Sequence, residues 1–156
     1  MAITLSNVSS AATTSSTTST TYTSTLDVTS LDSAEISLLG KSSIAQLTSA
    51  KITSITTDAL PGLTTAQISS IPTSGIAALT SLQVPVLTTA QLPSFSAKQI
   101  AALTTVQITY LDSAQMNSLK SPQIRALTTA QIAAIPTGVL PSLTTTFVSL
   151  LTTAQL

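Results

Sequence analysis

A strict period of eight residues limits what this chain can fold into more than any other feature. From Leu31 to Leu156 apolar residues stand five and then three places apart, without a register break. The first apolar place holds Leu63, Ile71, Leu79, Leu87, Leu103 and Leu127 among others; the second holds Ile68, Ile108 and Ile132. Across sixteen units all 32 of these places are apolar, which chance does not produce. A fixed period with no insertion identifies a solenoid-type stack, in which each unit buries its apolar side chains only against its neighbours.

The unit reads like the start of a helix. Thr, Asp or Ser follows the first apolar place in twelve of the sixteen units, including Asp32, Thr64, Asp112 and Thr128. Such side chains cap a helix by accepting a hydrogen bond from an otherwise unpartnered backbone N–H. Three residues further on stands Gln in nine units, with Glu35 in the first, which completes a capping box. The two apolar places then fall at the spacing of a hydrophobic staple. A long helix is excluded, because Pro61, Pro85, Pro93 and Pro141 directly follow the second apolar place and Pro72 and Pro136 occupy the cap. Each unit therefore holds one short helical turn and then a bend. Turns that short need a stacked apolar interior to persist.

The rival arrangement is a β-solenoid, with paired units forming coils of about sixteen residues and ladders of Thr and Gln. Abundant Thr and the prolines at corners speak for it. The 5-then-3 spacing speaks against it, since a strand alternates with period two. The all-α solenoid with very short helical turns is the preferred reading, and the β-solenoid is the alternative.

Chemistry is sparse. The chain of 156 residues has five basic and five acidic residues, zero net charge and no His, Cys or Trp. Without His or Cys, metal ligation and thiol or imidazole catalysis have few candidates. The closest carboxylates, Asp32 and Glu35, fit a capping box better than an acid–base pair, and Asp58 falls in a first turn, where negative charge is favourable. The chain reads as no enzyme, with no cofactor and no small-molecule substrate. Lys41, Lys51, Lys98, Lys120 and Arg125 are scattered, so no nucleic-acid footprint forms. No apolar run reaches the ~18 residues of a membrane span. Tyr110 and Phe147 interrupt their phases and are candidate lateral contacts, with the filling of a local gap as the alternative for each.

Residues 1–30 differ from the rest: 18 of the 30 are Ser or Thr. Ile3, Leu5 and Tyr22 give this segment β-compatible stretches. It is expected to be an extended arm that docks on its own rod or on another copy, with a disordered tail as the alternative. No cleavable signal is evident at the N-terminus.

The units Leu63-Thr-Thr-Ala-Gln-Ile68, Leu127-Thr-Thr-Ala-Gln-Ile132 and Leu151-Thr-Thr-Ala-Gln-Leu156 resemble the LTTAQ-type repeats of large bacterial secreted and cell-surface proteins. The resemblance covers residues 31–156 and implies a bacterial origin and an extracellular or cell-surface setting. It implies no activity. With almost no charge to oppose association, the chain is expected to be a subunit of a self-assembling filament or matrix, joined head to tail. Leu151 and Leu156 at one end, with Ile3, Leu5 and Tyr22 at the other, are the assembly candidates. The alternative is a binding module or adhesin spacer presenting a regular Thr-rich face.

Overall fold

The computed structural model describes residues 27–155. Within them, α-helices of four to six residues and 3₁₀ helices of three follow one another, and there is no strand. The fold is an all-α helical repeat, solenoid-like in character, and the β-solenoid alternative does not describe these residues. The caps explain why. Asp32 Oδ1 accepts from the N–H groups of Ala34 and Glu35 at 2.8 Å each. Asp112 Oδ1 accepts from Gln115 N–H at 2.7 Å. Thr64 and Thr128 accept from Gln67 and Gln131 N–H at 3.3 and 3.2 Å. Each cap starts a turn that a strand would forgo.

Termination is as regular as initiation. The N–H of the next first-place residue donates to the carbonyl of the preceding second-place residue, as from Leu39 to Ile36, Ile71 to Ile68 and Leu103 to Ile100. The backbone then turns extended at the following cap, with φ −69° and ψ 158° at Thr64. Where proline follows the second apolar place the turn is 3₁₀: Leu60–Gly62, Val84–Val86, Leu92–Ser94 and Leu140–Ser142. Proline's missing N–H costs nothing there, because the first N–H groups of a helix have no internal partner.

Short elements pack on elements about three units further along. Ser49–Thr53 meets Thr73–Ala78, which meets Ala97–Ala101, which in turn meets Ser121–Ala126. Ser33–Ser37 packs on Leu60–Gly62 in the same way. The two apolar stripes thereby merge into one core running from Val28 to Phe147. Second-place residues from Ile36 to Met116 are almost wholly buried; Leu63, Ile71, Leu79, Leu87, Leu103 and Leu127 of the first stripe are buried as well. Val28, which the sequence reading left in the Ser/Thr-rich segment, belongs to this core and is fully buried. Ile132 is only half-buried, and Leu140 and Val148 at the same phase are 46% and 49% exposed.

Candidate functional site: a column of bridging glutamines

Capping alone does not require the Gln of each unit to be buried, yet nine glutamines are. Gln99 shows what they do. Its Oε1 accepts from Ser96 N–H at 2.7 Å, closing the capping box. Its Nε2 turns the other way and donates to the carbonyls of Ile68 and Ile71, at 2.9 and 2.8 Å. Those carbonyls lie 31 and 28 residues earlier in the chain. Ile68 O also accepts from Ile71 N–H, so this carbonyl has partners both from the start of the next unit and from the layer above.

The same pair of bonds recurs along the rod. Gln67 reaches Ile36 and Leu39, Gln83 reaches Ile52 and Ile55, and Gln107 reaches Ile76 and Leu79. Gln131 reaches Ile100 and Leu103, and Gln155 reaches Ile124 and Leu127. One amide thus holds its own helix start and the end of a turn beneath it. Buried polar groups that are fully partnered in this way favour a single register over its competitors. Sequence reasoning found the capping half of this role. It missed the bridging half, although the preference for Gln over Glu was the available signal: both can accept, and only Gln can donate.

One departure is instructive. Phe147 takes the place of a Gln and is buried at 1% exposure, which fits the gap-filling alternative and not a lateral contact. The bridging phase points inward, so an aromatic there fills the core. Phenylalanine cannot accept from the cap N–H of Thr144, and Asn117 supplies that bond instead: its Oδ1 accepts from Thr144 N–H at 2.9 Å, and its Nδ2 donates to Ser142 O at 2.9 Å. An open cavity of about 490 Å³, lined by Asn117, Lys120, Pro122, Phe147 and Leu150 among others, lies beside this substitution. Tyr110, by contrast, is 41% exposed.

Of the assembly candidates, Leu151 is half-buried and packs against the core. Ile3, Leu5, Tyr22 and Leu156 lie outside the described residues, as does most of the proposed arm. Among the described residues no group of His, Cys, Asp and Glu is placed to hold a metal ion, and no helix is long and apolar enough to cross a membrane. The Asp27 carboxyl lies at the start of the described residues. Hydrogen bonds from the Thr29 hydroxyl and then from Thr29 N–H hold it below the ordinary carboxylate range, against a small opposing effect of burial. Lys51 adds a weaker pull in the same direction.

The caps give a measurable expectation. Thr128→Ala removes the oxygen that receives Gln131 N–H but leaves the bridge to Ile100 and Leu103 in place. It should cost about 1 kcal/mol, read as a lower midpoint in urea denaturation. A loss near zero would mean that the cap is redundant with the bridge.

Nothing among curated proteins or solved structures matches this chain. The ALTTAQ repeat family does, at residues 84–121 and 110–145, the stretch that holds Gln91 to Gln131. The chain is similar to that family there, and is a repeat protein of that general class.

Proposed function

We propose that the chain is a non-catalytic structural rod, a solenoid of octapeptide units that turns once in three to four units and works by associating with copies of itself. Elements packing three units apart, and amides reaching 28 and 31 residues back, support that coil. The observation that carries the assembly reading is apolar exposure on a surface with almost no charge. Leu82 is 73% exposed and Val106 61%, at the same phase of the unit and three units apart, with Tyr110 following Val106 within its own unit. Exposed aliphatic and aromatic side chains in a row suit side-by-side contact between rods. Residues 1–26, which contain no charged residue, serve as an arm in end-to-end joining. An extracellular or cell-surface filament or matrix, with a bacterial source, is the setting that the repeat resemblance favours.

Sedimentation velocity over a concentration series tests this. The full chain should associate, and Leu82→Ser with Val106→Ser should raise the concentration needed at least tenfold while leaving the far-UV circular dichroism unchanged. A wild-type chain that stays monomeric throughout would contradict the assembly reading and leave the binding module or adhesin spacer.

A further inference from the structure

Stacking gathers charges that the sequence scatters. All five basic and all five acidic residues lie among the described residues. Elements three units apart pack on one another, so the rod carries them in columns. One column runs through Thr73–Ala78, Ala97–Ala101 and Ser121–Ala126. Lys98 and Arg125 stand on the last two of these helices, Lys120 precedes the last, and all three are exposed. No carboxylate stands on those three helices. A second column holds Ser33–Ser37 packed on Leu60–Gly62. It carries Asp32 and Glu35 in one layer and, in the next, Asp58, exposed in the turn that leads into Leu60–Gly62. No cation stands on these two elements. The other four charges cancel. Lys41 and Asp112 fall on the third column by the same spacing, and Asp27 is drawn to Lys51. A chain without net charge thus has one basic column and one acidic column, with three charges each.

Capping does not call for these acids. Thr64 and Gln67 build the same capping box without charge that Asp32 and Glu35 build with two. The layers of the two columns also match in one direction only. The acidic column has two charges in its earlier layer and one in its later; the basic column has Lys98 in its earlier layer, with Lys120 and Arg125 in its later. Setting two against two and one against one requires the second rod to run antiparallel. A two-fold axis then lets both columns of each rod take part.

We propose that the basic column of one rod docks on the acidic column of a second, antiparallel copy of the chain, with Lys98 facing Asp58 while Lys120 and Arg125 face Asp32 and Glu35. The proposal deepens the assembly reading and rests on it. Leu82 and Val106 stand three and six units after Asp58 at its own phase, so the exposed apolar residues continue the acidic column. Charges at the rim of a contact govern encounter and register more than its strength. The apolar pair supplies adhesion here, and the charges set direction.

Sedimentation velocity of the full chain tests this. Association should begin at a concentration at least threefold lower in about 0.01 M salt, where charges act over ~30 Å, than in about 0.15 M salt, where they act over ~8 Å. At low salt, Lys98→Glu, Lys120→Asp and Arg125→Glu together should raise that concentration at least tenfold, as should Glu35→Lys with Asp58→Lys. An equimolar mixture of these two variants should associate as the parent does. Should either fail to fold, single changes at exposed places decide. Asp58→Lys mixed with Lys98→Glu should associate at least threefold more readily than either alone, and an equal gain from Asp58→Lys with Arg125→Glu would overturn the antiparallel register. Association that charge reversal leaves unchanged overturns this inference alone. An unmodified chain that is monomeric at both salt concentrations overturns the assembly reading and this inference with it.

Discussion

Replacing Gln99 by Glu should destabilise the rod by about 3–5 kcal/mol at neutral pH, the range for leaving a buried charge without its partner. The substitution changes one nitrogen to oxygen. It removes the donors to Ile68 and Ile71 and sets a carboxylate within hydrogen-bond distance of two carbonyl oxygens, at a residue that is 2% exposed. The acceptor bond from Ser96 N–H survives, so the loss reports the broken bridge and the charge buried in its place, and not the cap. Acidification supplies the control. Burial among carbonyls raises the pKa of the introduced carboxyl in the folded state above its unfolded value of roughly 4.3. Stability is then recovered as pH falls through the raised folded value, where the protonated group regains one donor, and is lost as pH rises through it. Urea denaturation of Gln99→Glu should therefore show a midpoint that climbs from pH 7 to pH 4, while Gln99→Ala shows no such climb. Equal midpoints for Gln99→Glu and the unmodified chain at pH 7 would mean that the bridge contributes little.

Gly62→Ala should be the most damaging change to a small residue. Gly62 ends the 3₁₀ turn Leu60–Gly62, which packs on the helix Ser33–Ser37. A Cβ there would land on the backbone of Ser33, at its carbonyl oxygen and Cα. Backbone cannot swing aside as the end of a flexible side chain can, so the two elements must separate. Overpacking of this kind costs about 1–3 kcal/mol and more when backbone is the obstacle. Gly138, two residues before the proline-containing turn Leu140–Ser142, meets nothing within 4 Å, and Gly138→Ala should be neutral within about 0.5 kcal/mol. The pair of variants checks the layer spacing directly: similar midpoints for both would contradict the close approach of Gly62 to Ser33.

Much of this architecture was legible in the sequence because it is local. Asp32, Thr64, Asp112 and Thr128 accept from N–H groups two or three residues away, so the order of residue types in one unit is enough to reveal them. The prolines after Leu60, Val84, Leu92 and Leu140 announce their short turns for the same reason. The bridge is different in kind. That Gln99 reaches Ile68 and Ile71 depends on how many units complete one coil, a quantity no single octapeptide carries. The choice between a lateral contact and a gap-filler at Phe147 turned on the same quantity: polar company at its phase suggests a surface, whereas those glutamines are buried polar groups with all their partners inside. The half-exposed Ile132, Leu140 and Val148 follow from position in the stack, which a repeat pattern cannot show, since every unit looks alike.

The central claim is that each glutamine ties a unit to one almost four units earlier. A nuclear Overhauser measurement on uniformly labelled chain tests it most directly, at Gln99, whose neighbour Lys98 makes its unit distinct from the others. The account predicts cross-peaks from the Gln99 side-chain amide to backbone protons of Ile68 to Ile71. Cross-peaks to residues about sixteen earlier, the coil of a β-solenoid, or to none beyond its own unit, would contradict it.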